Sequence, residues 1–485
     1  MRLAVVTASS PYPEHSVRAA NVVVFELTRA LAQISGLQVA LLQVNRSNDP
    51  PHGPEEEAGR AALAALGVTM LPAITLPAGG KHGNALSKLI APKPEHFYPD
   101  VVHRQRIADA LAAWNTDALM VPWSEWLTPV CAEIPVLRFA YYGNPDPKTA
   151  LHRAALDRRL GGSLAKYVRM RVGIASLERV HLDIMRNYQH LGDVAANDAE
   201  YYRGAGHPHA FYIRNIWIDR FGESWRARRD ALEQLDPLVI IGNVGKLNGT
   251  ANRYGLEYLG REVLPALRRR MPSGSYRVEI LGAGKLDPQI GRLLDGPDVV
   301  HRGFVEDIDE AMLKAPIFLC VNNASPFKVG HTRYLHAWTL GSCVIAHRDA
   351  ALSMPEMVDG QNALLGADAE QIVDRIETTA LDRTGKLLLF VVVRPGAKLD
   401  RDLIEKINDR LRAEISPRHL PDAIYAVPEI PHTLNGKRLE VPVKRILMGT
   451  PPEKAVSREA MANPGALRWF IDFSKTFNQG TSKTS

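Results

Sequence analysis

The sequence predicts an α/β protein: two doubly wound Rossmann-like lobes followed by a small α/β C-terminal domain. Three observations carry that expectation. Short apolar runs alternate with segments of helical periodicity from residue 3 to about residue 139, the pattern of parallel strands covered by helices. The same alternation restarts at Pro237, and a third, shorter unit opens near Lys386. A chain of 485 residues has room for about three domains of ordinary size.

The first lobe is expected over 1–219. Leu3–Thr7 is an apolar run ending in a polar loop, and Ala19–Ile34 carries apolar residues at helical spacing. Leu37–Val44 reads as a strand, Glu55–Leu66 as a helix, and Ala118–Val121 and Pro135–Phe139 as further strands. Residues 72–100 are rich in Pro, Gly, Lys and His and predict a long surface loop. Arg153–Tyr188 reads as mostly helical and carries Arg153, Arg158, Arg159, Arg169, Arg171, Arg179 and Arg186. Two readings of that segment stand side by side: a solvated helix face, or contact with an anionic lipid surface or lipid-linked acceptor.

The second lobe is expected over 220–377, with Arg220–Pro237 as its link. Leu238–Gly242 is a strand running into a Gly-rich turn, Tyr254–Met271 a helix, and Arg277–Leu281 a strand before Gly282-Ala-Gly284. Ile317–Val321 and Cys343–His347 are strands, with the helix Thr332–Leu340 between them. A junction, 378–385, leads to the third unit at 386–473. There Leu387–Val393 and Ile424–Val427 read as strands, Asp400–Glu414 as a helix, and Asn435-Gly436-Lys437 as a tight turn presenting a lysine. The polar tail, 474–485, is expected to fray.

Composition is that of a globular protein, 46% hydrophobic and 23% charged, with a net charge of +6. The mild positive excess fits anionic substrates such as sugar nucleotides, an anionic membrane surface, or no particular partner. The absence of arginine–aromatic interleaving argues against nucleic acid. Cys131, Cys320 and Cys343 are scattered through apolar runs, which predicts buried free thiols in a reducing cytosol and no zinc. The N-terminal apolar run is too short for a signal peptide. The longest apolar run, Leu387–Val393, is far shorter than the roughly 20 residues that span a bilayer. These features predict a cytoplasmic protein, or one peripheral to the inner face of the membrane.

Several segments carry a family resemblance. Asn215-Ile-Trp-Ile-Asp219, Ile241-Gly-Asn-Val-Gly245, Ile280-Leu-Gly-Ala-Gly284, His301-Arg-Gly-Phe-Val305 and Gly330-His-Thr-Arg-Tyr-Leu-His-Ala-Trp-Thr-Leu-Gly341 resemble segments of family 4 glycosyltransferases of the GT-B fold, over residues 1–377. The resemblance implies a UDP- or GDP-sugar donor bound by Gly245, Gly282, Gly284, Phe304, Gly330, Thr332, Arg333 and Glu356. It places Arg18, Tyr142 and Asp146, with His152 nearby, on the acceptor side. No tightly bound cofactor and no metal is implied. Physically, Gly330 would let backbone approach a diphosphate, the helix opened by Thr332 would attract anions, and Arg333 would hold phosphate oxygens bidentately. The chain departs from the family by carrying Lys328 and His336 where it often has two glutamates, the second holding ribose. It also lacks the glycine-rich loop after the first strand. Asp307-Ile-Asp309 mimics a metal motif but lies where a helix should begin, so helix capping is the expected role.

Residues 386–473 resemble the C-terminal subdomain of acetoacetyl-CoA synthetases, of the adenylate-forming superfamily. The resemblance runs through Leu389-Phe-Val-Val-Val393, Leu411-Arg-Ala-Glu-Ile-Ser-Pro-Arg-His-Leu-Pro421, Ile430-Pro-His-Thr-Leu-Asn-Gly-Lys-Arg-Leu-Glu-Val-Pro-Val-Lys444 and Asn463-Pro464. It implies that Lys437 stabilises charge during adenylation, with ATP, CoA and Mg as the reaction's partners. The Ser/Thr/Gly-rich ATP loop and the hinge of that superfamily are absent upstream. Three readings follow: a glycosyltransferase acting on an unknown acceptor, an acetoacetate–CoA ligase fragment lacking its adenylation domain, or a non-catalytic fusion.

Overall fold

The computed structural model describes residues 1–12, 19–49, 53–78, 80, 85–219, 222, 224–230, 237–381, 387–414, 420–447, 451–457, 459 and 461–481. The chain forms two compact units, Met1–Ile372 and Val373–Ser485. Arg18 lies outside the described residues.

Unit 1 contains two parallel sheets. The first is built from β1 (Arg2–Thr7), β2 (Gln38–Arg46), β3 (Thr69–Met70), β4 (Ile74–Leu76), β5 (Ala118–Pro122), β6 (Leu137–Tyr142), β7 (His190–Asp193) and β8 (Ala210–Tyr212). Its order is β3-β2-β1-β5-β6-β7-β8, with β4 also paired to β2. The second is built from β9 (Leu238–Asn243), β10 (Tyr276–Leu281), β11 (Val299–Gly303), β12 (Ile317–Cys320), β13 (Cys343–His347) and β14 (Leu364–Gly366), in the order β11-β10-β9-β12-β13-β14. Strands buried on both faces need continuous apolar runs; β1, β9 and β12 are buried over nearly their whole length. Strand order reverses at β1/β5 and at β9/β12, and crevices beyond the carboxyl ends at such points are where open α/β sheets bind ligands.

The lobes meet along two helices, Asp146–Arg159 and Thr250–Tyr258. Arg253 bridges Asp157 at 2.6 Å and Asp287 at 3.1 Å. The Tyr254 hydroxyl donates to the His152 carbonyl at 3.0 Å, and Arg159 pairs with Glu257. Glycines permit the close approach of the loops beside this seam. A methyl on Gly330 would overlap the Val194 carbonyl of the first lobe.

Several expectations are corrected. Residues 72–100 are not one loop: they contain β4, the helices Ala85–Ile90 and Pro94–Phe97, and the start of a 3-10 turn, Pro99–His103. Proline at the first turn of two of these short elements supplies a preset φ without costing a needed N–H. The arginine-rich segment is two helices, Asp146–Arg159 and Leu164–Met185, separated at Gly161, whose φ is +85°. The expected helix Tyr254–Met271 begins at Thr250 and passes through a π turn, Leu259–Val263, just before Pro265. Proline has no N–H to give to the preceding turn, and a widened turn accommodates that loss. Cys131 and Cys320 are buried free thiols, but Cys343 is only half-buried. Burial raises the Cys131 thiol to about 12.

Unit 2 pairs β15 (Leu388–Val391) with β16 (Ala423–Ala426) in parallel, with the helix Arg401–Glu414 between them in sequence. Val427, Val443, Ile446, Met461, Leu467 and Phe470 form its core. An aromatic cluster of Phe390, Tyr425, Trp469 and Phe473 adjoins it, and Trp469 stacks on Phe473 at 4.9 Å. That cluster lies partly on the helix Leu467–Thr481, so the segment after Phe473 is helical to Thr481 rather than frayed. Residues 482–485 lie outside the described part.

Candidate functional site

A cleft of about 390 Å³ lies beyond the carboxyl ends of β9, β10 and β11. Gly245, Gly282, Phe304, Thr332 and Arg333 of the expected donor residues line it, together with Lys246, Trp217, Asp309 and His336. Ala19 and Val22 close it from the first lobe. Gly245 has φ +108° and Gly282 φ +149°, both in the region that favours glycine. Their loops run so close together that a methyl on Gly282 would overlap the Gly245 carbonyl. The Asn243 amide ties them by donating to the Leu281 carbonyl at 2.9 Å.

Arg333 is oriented by a buried asparagine. Its Nη1 donates to Asn252 Oδ1 at 2.7 Å. The same oxygen accepts from Asn322 Nδ2 at 3.0 Å, while Asn252 Nδ2 donates to the Lys246 carbonyl at 2.7 Å. One side chain therefore fixes a guanidinium and the backbone of a lysine-bearing loop, the pre-arrangement that an anion site requires. His331, not Thr332, occupies the N-cap position of the helix Thr332–Thr339, without a side-chain cap bond, and Thr332 lies in its first turn.

Lys328 and His336, which the resemblance sets against expected glutamates, each have a carboxylate beside them. Lys328 Nζ lies 2.6 Å from Asp349 and 2.7 Å from the Asn323 carbonyl. Burial alone would raise the Asp349 carboxyl, but the Lys328 bond and charge hold it below the usual range. His336 Nε2 meets Asp309 Oδ1 at 2.5 Å, and its ring lies 5.2 Å from the Trp217 ring. Asp307 caps the helix Ile308–Lys314 by accepting from the Glu310 N–H at 2.8 Å. Among the described residues no group of three His, Cys, Asp or Glu side chains is arranged to hold a metal.

Other expected residues lie elsewhere. Gly284 has φ +102° and follows the lining residue Ala283 without itself lining the cleft. Gly330 is set against the Val194 carbonyl, so its missing side chain serves lobe contact at that point. Glu356 does not line the cleft; its Oε2 accepts from the Tyr212 hydroxyl of the first lobe at 2.6 Å. Tyr142 is fully buried, its ring 5.8 Å from His181, so it offers no surface to an acceptor. Its place at the buried end of β6 explains this. His152 packs on Phe327 at 5.1 Å, and burial with the nearby Lys148 lowers it to about 4.

Asp146 stands at the end of a buried polar chain that the sequence did not indicate. Tyr98 OH lies 3.0 Å from Asp146 Oδ2 and 2.8 Å from His181 Nδ1, and His181 Nε2 lies 2.8 Å from Tyr202 OH. With Asp146 ionised, the Tyr98 hydroxyl donates to it, His181 Nδ1–H donates to Tyr98, and Nε2 accepts from Tyr202. Burial raises the Asp146 carboxyl and lowers His181 to about 3. The His181 shift has a stability consequence. An unfolded histidine titrates near 6.5, so the contribution of this buried neutral ring is complete above about pH 6.5. It is lost as pH falls toward the folded value, by about 1.4 kcal/mol per unit and about 2 kcal/mol by pH 5. Asp146 acts in the opposite sense. Urea unfolding at pH 7 and pH 5 of wild type and His181→Gln isolates the histidine, and the variant should lose the smaller amount.

In unit 2, Lys437 is exposed on the expected turn. Its N–H donates to Thr433 Oγ1 at 3.1 Å, and its carbonyl accepts from the Thr433 N–H at 2.8 Å. Gly436 supplies φ +76°.

Comparison with known proteins matches residues 239–382 to the family described as "Glycosyl transferases group 1". Among solved structures, HepE of Anabaena in complex with UDP and glucose aligns over 79% of this chain and 90% of its own, at 14% identity and a TM-score of 0.46. An OtsA apo structure aligns over 78% and 91%, at 12% identity and a TM-score of 0.48. Acetoacetyl-CoA synthetase of Caenorhabditis elegans is 42% identical over 88 residues, and acetoacetyl-coenzyme A synthetase of Rhizobium meliloti (strain 1021) 34% identical over 138. These matches take in 18% and 27% of this chain but only 12% and 21% of those relatives. The chain thus joins a stretch similar to group 1 glycosyl transferases to one similar to a small part of acetoacetyl-CoA synthetases.

Proposed function

We propose that the chain is a glycosyltransferase that moves a sugar from a nucleoside-diphosphate donor, with the cleft of unit 1 as the donor site. The observation that carries the reading is the convergence of Arg333, Lys246 and the Gly245 and Gly282 loops on one cleft, within a segment similar to group 1 glycosyl transferases. Arg333 and Lys246 would hold the diphosphate, whose charge grows as the sugar departs; fixed cations stabilise that developing charge. Trp217 and the exposed Phe304 would offer apolar faces to the base. Asp146 would accept a hydrogen bond from an acceptor hydroxyl, held in place through Tyr98. A thermal-shift screen of UDP- and GDP-sugars tests the reading: one donor class should raise the melting temperature, and no shift with any of them would contradict it.

A second reading is favoured by the exposed Lys437 turn and its likeness to acetoacetyl-CoA synthetases. Unit 2 would then serve adenylation together with a separate ATP-binding domain, using ATP, CoA and Mg. ATP–pyrophosphate exchange with acetoacetate, measured on the chain with and without such a domain, tests it; no exchange in either case would contradict it.

A further inference from the structure

The arginine-rich part of the first lobe does not behave as one surface. Arg153 donates to Thr250 Oγ1 at 3.2 Å, Arg158 to the Gly162 carbonyl at 3.2 Å, and Arg159 pairs with Glu257. These arginines are engaged in the lobe seam and the following turn. The helix Leu164–Met185 is different. Its first ten residues, Leu-Ala-Lys-Tyr-Val-Arg-Met-Arg-Val-Gly, contain three cations and no carboxylate. Among the described residues, Lys166, Arg169 and Arg171 have no ion-pair partner.

The same turns expose apolar side chains. Leu164, Val168 and Val172 are 59%, 53% and 47% accessible. Spaced four residues apart at about 100° per residue, they form one stripe. The buried residues of the helix, Ile174, Ser176, Val180, His181, Ile184 and Met185, centre on its other side. The stripe is therefore a second face, not the margin of the packed one. Arg171 and Arg169 flank it at helical spacing. The neighbouring helix Ala85–Ile90 packs against this one and exposes Leu89 at 48% and Ile90 at 73%. Its sequence, with the turn that follows to Lys93, adds Lys88 and Lys93 and again no carboxylate.

We propose that this face, formed by Leu89, Ile90, Leu164, Val168 and Val172 with their basic flanks, binds an anionic lipid surface. Single exposed apolar residues need no explanation, but five on two packed helices, with Arg169, Arg171, Lys88 and Lys93 against one nearby carboxylate, Glu95, match a surface that is apolar beneath and negative above. Among the described residues no helix is long and apolar enough to cross a membrane, so the mode is contact in the plane of the headgroups. The inference does not depend on the sugar-transfer reading.

Co-sedimentation of the full chain with vesicles tests it. Binding is expected to vesicles of mixed phosphatidylglycerol and phosphatidylcholine at low salt, and to weaken with salt. Arg169→Ala with Arg171→Ala should weaken it about thirtyfold, from about 1 kcal/mol per cation near the surface. Leu164→Ser, Val168→Ser and Val172→Ser together should weaken it at least about tenfold. All five positions are exposed, and unchanged circular dichroism melting is the check on folding. No binding to anionic vesicles, equal binding to pure phosphatidylcholine, or binding unaffected by both variants would overturn the proposal. So would a dimer of the wild type, dissociated by the triple variant, without vesicle binding, since the face would then belong to a second copy.

Discussion

Arg333→Ala is expected to weaken binding of a nucleoside-diphosphate sugar by about two orders of magnitude, corresponding to about 3 kcal/mol for lost charge-assisted hydrogen bonds. The magnitude rests on how the guanidinium is held. Asn252 fixes Arg333 at 2.7 Å before any ligand arrives, so little side-chain freedom remains to be lost on binding. The fold should tolerate the change, because Asn252 Oδ1 keeps its second donor, Asn322 Nδ2. Arg333→Lys retains charge without the planar fork and should fall between wild type and alanine. Calorimetric titration of the three proteins with the donor found by screening reads this directly. Equal affinity of wild type and Arg333→Ala would remove Arg333 from the site.

Gly282→Ala should be the second large effect, this time on stability. The added methyl would meet the Gly245 carbonyl, whose carbon would lie 2.8 Å away, at a backbone φ of +149°. Overpacking against backbone and an unfavourable φ together should cost about 4 kcal/mol. Gly284→Ala is the internal comparison. Its φ is +102°, but the nearest atom would be Asn248 Oδ1 at 3.4 Å, so only the backbone term of about 1–2 kcal/mol remains. Urea unfolding followed by circular dichroism should rank Gly284→Ala well above Gly282→Ala. Equal midpoints would mean that the two loops are not as closely apposed as described.

The sheet architecture was legible because buried parallel strands need apolar runs, and β1, β9, β12 and β13 have them. The short strands β3, β4 and β8 were not, since two or three residues carry no period. The cleft glycines Gly245 and Gly282 were legible through strand-then-glycine patterns, and Lys246 could have been found in the same way, as a cation in the turn after β9. Asn252 could not: nothing in an asparagine within a helix announces that its amide reaches a lysine carbonyl and an arginine 81 positions later. The Tyr98–His181–Tyr202 chain was hidden for the same reason, since its members are brought together only by packing. Tyr142 was expected at a surface because its position at a strand end says which edge it occupies, not whether its side chain turns inward, and Glu356, expected near the donor from the resemblance alone, instead bonds Tyr212 of the first lobe. The charge exchange at Lys328 and His336 was visible, but their partners Asp349 and Asp309 were not.

Hydrogen–deuterium exchange of the full chain, with and without a saturating nucleotide sugar, tests the central claim most directly. Donor binding in the cleft predicts slowed exchange in the turn after β9, at 243–250, in the turn after β10, at 281–285, and at 304–309 and 331–339. Unchanged exchange in all four segments, or protection confined to 386–473 with ATP in place of the sugar nucleotide, would contradict it.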